Sequence, residues 1–97
     1  MLALDYGVAA RYIGWVKEIT YRPAAQRALE KMPRNTALRI RGKIQDFAAN
    51  PSSQANNVKL LSDRLTLRLM VGDWRVLMQD GVVLLVTEVG PRGSIYD

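Results

Sequence analysis

Arg68 and Arg75 flank the dipeptide Gly72-Asp73 in the stretch RLMVGDWRV, and Arg92 and Tyr96 follow in PRGSIY. A guanidinium keeps its charge at any physiological pH and can grip a phosphate through two parallel N–H donors, so three arginines in one place suit a phosphate or phosphorane. A phenol ordinarily titrates at about pH 10 and neighbouring cations lower that value. Tyr96 beside such a site could therefore accept a proton or orient a hydroxyl; it could equally stack on a base with no proton chemistry. Cleavage of a phosphodiester without metal needs a 2′-hydroxyl deprotonated, charge on phosphorus stabilised and the 5′-oxygen protonated. Arg68, Arg75 and Arg92 suit the second task, while Lys59 and Arg64 are candidates for contact with an RNA backbone. No side chain stands out as the general acid.

Composition removes many alternatives. The 97 residues are 48% hydrophobic, enough for one modest core. Histidine and cysteine are absent, which excludes His-based triads, imidazole acid–base pairs, thiolate nucleophiles and disulfides. No cofactor and no metal site is expected. Lys and Arg number 14 against 9 Asp and Glu, a net charge of +5 that favours a polyanionic partner, either nucleic acid or an acidic protein segment. The longest apolar run is the five residues VVLLV at 82–86, against about 20 for a membrane span. The N-terminus has neither a basic start nor a long apolar centre, so a soluble cytoplasmic protein is expected.

The positioning elements can be read from spacing. KEITY, residues 17–21, suits a short strand. Pro23 can open a helix in which Ala25, Ala28, Leu29 and Met32 recur on one side, and Pro33 ends it and opens a second with Ala37, Ile40, Ile44, Phe47 and Ala48 inward. Asn50-Pro51 stops that helix, and Arg34, Arg39, Arg41 and Lys43 are expected on its outer face, solvated or available to an acidic partner. A polar loop at 51–63 leads to three strands, RLTLRLMV, WRVLMQ and VVLLVTEVG, joined by two-residue turns at Gly72-Asp73 and Asp80-Gly81. The order β-α-α-β-β-β predicts an α+β domain at 16–97, a helical hairpin packed on an antiparallel sheet. Residues 1–15, interrupted by Gly7 and Gly14, read as an N-terminal extension.

Two-residue turns fix which side chains share a face. The first puts Met70 opposite Arg75 and Arg68 opposite Leu77, so both arginines share one face as diagonal neighbours. The second pairs Gln79 with Val82 and Arg75 with Val86, leaving Glu88 diagonal to Arg75. The core face then holds Leu65, Leu67, Leu69, Val71, Trp74, Val76, Met78, Val83, Leu85 and Val89. The opposite face carries Thr66, Arg68, Arg75 and Gln79 among Met70, Leu77, Leu84 and Val86. A structural Arg75–Glu88 pair is the alternative to an anion site there; Arg92 and Tyr96 in the tail favour the anion.

From residue 17 to residue 96 the chain resembles the RelE/ParE superfamily of bacterial type II toxins. The initial strand, the helical hairpin broken by proline, KLL before the sheet, RLMVGDWRVLM, VVLLVTEVG and PRGSIY carry the resemblance. The family's pattern is approximately R-x-R/K-x-G-D-Y/W-R, then V-G-H/K-R and a late tyrosine. The resemblance implies a compact RNase-like fold and an acidic cognate antitoxin that wraps and neutralises the toxin. It places the functional positions on Arg68, Arg75, Arg92 and Tyr96. In the RelE branch it implies cleavage of mRNA in the ribosomal A site, hence mRNA and ribosome as partners. In the ParE branch it implies binding and poisoning of DNA gyrase without RNA cleavage. Pro91 stands where many members have histidine or lysine and Thr66 where some catalytic members have lysine. The family starts near residue 16, so residues 1–15 are an extension or an upstream start.

Overall fold

Two prolines set the helical half of the molecule. In the computed structural model, which describes residues 17–93, α1 spans Pro23–Lys31 and α2 spans Arg34–Ala49. Pro23 is the first residue of α1, where its missing N–H would have found no partner in any case. Pro33 is the N-cap of α2, and its carbonyl accepts the first bond of the helix from the Ala37 N–H at 3.0 Å. Past Asn50, Pro51–Gln54 forms one turn of 3-10 helix. The inward positions are those the spacing predicts: Ala25 and Leu29 from α1, Ile40, Ile44, Phe47 and Ala48 from α2. Arg41, expected on the outer face, is instead half-buried. Its guanidinium lies 4.8 Å over the Tyr21 ring and its Nη2 donates to Gln26 Oε1 at 3.3 Å.

The helices cover one face of a five-stranded sheet ordered β1-β5-β4-β3-β2. Its strands are β1 Ile19–Tyr21, β2 Val58–Leu60, β3 Thr66–Val71, β4 Trp74–Asp80 and β5 Leu84–Pro91. The expected α+β order is present with one strand added. β2 lies inside the stretch read as a polar loop, and at three residues it is too short to show a period. The sheet is antiparallel except at β1, which runs parallel to β5 with Thr20 opposite Leu85. The Leu84 N–H donates to Glu18 O at 2.8 Å and the Arg22 N–H to Val86 O at 2.9 Å, closing this ladder at both ends.

The β3–β4 turn is the expected one. Gly72 has φ 58, as the first central residue of a type II′ turn requires. The β4–β5 connection differs: Asp80 pairs with Leu84, so the loop holds the three residues 81–83 rather than two. One extra residue reverses every side chain beyond it. Leu84 and Val86 therefore fill the core, where Val83 and Leu85 had been expected, and Leu65 sits outside the strands at 59% exposure.

A second irregularity restores the phase. Met78 pairs with Val86 but Leu77 pairs with Glu88, so Thr87 is an extra residue, a β-bulge. The Thr87 hydroxyl donates to the Leu77 carbonyl at 3.1 Å, satisfying a group at the break in the ladder. Beyond the bulge Val89 returns to the core as expected.

The expected extension at residues 1–15 lies outside the described residues. Among the described residues no helix is long and apolar enough to cross a membrane. Ile44 is 0% exposed beneath the sheet, so Ile44→Ala should cost about 2–5 kcal/mol in denaturant unfolding. A midpoint equal to that of the parent chain would remove Ile44 from the core.

Candidate functional site

The β3–β4 register brings Arg68 and Arg75 onto the face turned away from the helices. Arg68 lies opposite Leu77, and Arg75 lies opposite Met70. Both arginines are half-buried, with the Nε of each enclosed, and neither lacks a partner within the fold. Leu77 lies between them by register and is only 8% exposed, yet it is not part of the core cluster on the helix side. A leucine covered on the open face of a sheet fits arginine stems lying along it.

The neighbouring strands extend this row of cations. Lys59 of β2, exposed, is directly opposite Arg68. Like charges in that relation repel, and an anion laid across them would relieve the repulsion. On the other side Arg75 is opposite Gly90, and one step past the end of the strand the Arg92 N–H donates to the Asp73 carbonyl at 2.7 Å. That bond ties the end of β5 to the β3–β4 turn. It brings the backbone of Arg92 into a diagonal relation with Arg75. Tyr96 lies outside the described residues. Arg64 is not in the ladder: it is exposed in the β2–β3 loop at φ 59, a left-handed conformation that costs a non-glycine residue about 1–2 kcal/mol.

Glu88 is on the arginine face, directly opposite Leu77, and exposed. The ion pair found among the described residues joins Lys17 to Asp80, at the other end of β4. The alternative of a structural Arg75–Glu88 pair is therefore not realised among them.

The sequence model described as "ParE toxin of type II toxin-antitoxin system, parDE" matches residues 19–96. The chain belongs to that family. It is a type II toxin of the RelE/ParE superfamily, and the toxin fold recurs in solved structures. A chain of the archaeal RelE–RelB complex from Pyrococcus horikoshii matches with a TM-score of 0.66 and 17% identity, over 82% of this chain and 99% of that one. A chain of a toxin–antitoxin complex from Mycobacterium tuberculosis matches with a TM-score of 0.56 and 19% identity, over 78% and 98%. No curated protein matches significantly.

In this ParE-family toxin Thr66 is committed to the loop before β3. Its hydroxyl donates to Asp63 Oδ2 at 2.7 Å, and Asp63 Oδ1 accepts the N–H groups of Leu65 and Thr66 at 2.9 Å each. With Leu61 N–H to Thr66 O at 2.8 Å and Arg64 N–H to Leu61 O at 2.9 Å, these bonds hold Arg64 in its left-handed conformation. The role of Asp63 was missed in the sequence reading; its signal is an aspartate followed three residues later by threonine at the start of a strand.

The N–H of Thr66, then that of Leu65 and then the Thr66 hydroxyl, all favour the charged carboxylate and hold Asp63 below its ordinary pKa of 3.8. A depressed folded-state pKa contributes stability above the unfolded value, and that contribution is lost as pH falls through the folded one. Asp63 should accordingly titrate below 3.8 by NMR, and Asp63→Asn should flatten this part of the acid dependence of unfolding. A normal titration would mean that the loop bonds are not formed in solution.

Proposed function

We propose that this toxin is an endoribonuclease that cuts mRNA on the ribosome in the cytoplasm and is held inactive by an acidic antitoxin. The observation that carries this reading is the row of cations on the open sheet face: Lys59 opposite Arg68, with Arg75 diagonal to Arg68 and the backbone of Arg92 tied beside the turn. Such a row follows a phosphate backbone with permanent charges and can stabilise a phosphorane without a metal. Arg68, Arg75 and Arg92 would share the charge that builds on phosphorus, with Lys59 and Arg64 along the flanking phosphates. Tyr96 would act on the 2′-hydroxyl or stack on a base. The ribosome would fix the mRNA in the attacking geometry.

An antitoxin partner is supported by the company of both structural relatives, each from a toxin–antitoxin complex. It is also supported by a groove of about 300 Å³ between α1 and α2, where Leu38 is 58% exposed beside Arg34 and Arg41. Glu30 also lines the groove, and an amphipathic helix that covers Leu38 with its apolar face and turns an acidic group to Arg34 suits it.

A second reading, a gyrase-binding toxin without nuclease activity, has its own support. Thr66 has its hydroxyl engaged by Asp63, and Pro91 lies in the ladder opposite Trp74. Neither position supplies the basic side chain that catalytic relatives carry.

Purified toxin with programmed ribosomes, and separately with gyrase, distinguishes the two. Cleaved A-site mRNA is the expected result, and Arg75→Ala and Tyr96→Phe should each slow cleavage by roughly 100-fold or more while the domain stays folded. Intact mRNA together with inhibited supercoiling would transfer the chain to the gyrase reading.

A further inference from the structure

We propose that Glu88 is the general base of the cleavage reaction, an assignment that rests on the endoribonuclease reading above. The geometry that points to it is the bulge at Thr87. If the pairing of Met78 with Val86 continued without interruption, Leu77 would meet Thr87 and Val76 would meet Glu88, and the carboxylate would enter the core beside Val76, which is 0% exposed. The extra residue moves Glu88 opposite Leu77 instead. It then stands in one row with Arg68, which is also opposite Leu77, and diagonal to Arg75.

The placement is costly for a surface that only binds RNA. A carboxylate there repels the phosphates that Lys59, Arg68 and Arg75 attract, and among the described residues Glu88 is not neutralised by an ion pair. By register its charged neighbours on that face are cations: Arg68 on β3, in the same row across Leu77, and Arg75 on β4, diagonal to it. Thr66 and Pro91 themselves supply no basic side chain.

In the proposed step the Glu88 carboxylate removes the proton of the 2′-hydroxyl while the 2′-oxygen bonds to phosphorus. The bond from phosphorus to the 5′-oxygen breaks and its electron pair stays on that oxygen, which takes a proton from water. The resulting hydroxide collects the proton from the Glu88 carboxylic acid. The products are a 2′,3′-cyclic phosphate and a 5′-hydroxyl, and the carboxylate is regenerated.

Single-turnover cleavage on programmed ribosomes at saturating toxin tests this, with the parent chain, Glu88→Gln and Glu88→Asp compared at matched fold by circular dichroism. Glu88→Gln should slow the chemical step by roughly 100-fold without weakening ribosome binding, and Glu88→Asp should recover part of the loss. Removing a negative charge from a surface that merely holds RNA would instead tighten binding and leave the rate equal or higher. A Glu88→Gln rate at or above that of the parent chain therefore overturns the assignment and leaves the endoribonuclease reading standing. A parent chain that cuts no mRNA overturns both.

Discussion

An arginine in the middle of a sheet strand has two faces to choose between, and the pairing of β3 with β4 makes that choice for Arg68 and Arg75 together. The pairing is set at Gly72-Asp73, where two residues reverse the chain. A slip of one residue would drive charge into the core and expose Leu69, Val71, Val76 and Met78. Charge and apolar area thus enforce the same register. Gly72 serves this by adopting φ 58, and the guanidinium of Arg39 from α2 lies beside it, where a larger residue would carry its Cβ. The helix α2 packs against the turn that aims the site.

The remaining elements act as clamps on this hairpin. On one side β2 sets Lys59 against Arg68, and on the other the Arg92 N–H holds the end of β5 to Asp73. Behind it, Arg41 reaches from α2 to the Tyr21 ring of β1 and to Gln26 of α1, so one guanidinium joins three elements. The two faces of the sheet therefore use arginine differently, as a structural tie among the helices and as half-buried charge on the side away from them.

Much of this arrangement was legible in the residues. Helix faces follow from the spacing of Ala25 and Leu29 and of Ile40, Ile44 and Phe47, because a 3.6-residue period has few competing explanations. The Arg68–Arg75 relation follows from a glycine turn whose length fixes register. The last strand was less legible. VVLLV is apolar at every position, so nothing in it distinguishes inward from outward, and the connection of three residues in place of two put Leu84 and Val86 inside. The break between Val86 and Val89 was the available sign of a bulge. β2 and the Asp63 loop depend on pairing and on a few side-chain bonds, which leave little trace in composition. The place of Glu88 on the open face was expected, and the bulge supplies the physical reason for it.

The bulge gives β5 two reading frames. Upstream of Thr87 the even-numbered residues Leu84 and Val86 face inward; downstream the odd-numbered Val89 does. Loss or gain of one residue at this point leaves the first frame intact and exchanges the second, burying what was presented and presenting what was buried. A change of length in the strand can thus do what a substitution cannot: it recasts the charge pattern at one end of the open face in a single event, with the hairpin that carries Arg68 and Arg75 left in register.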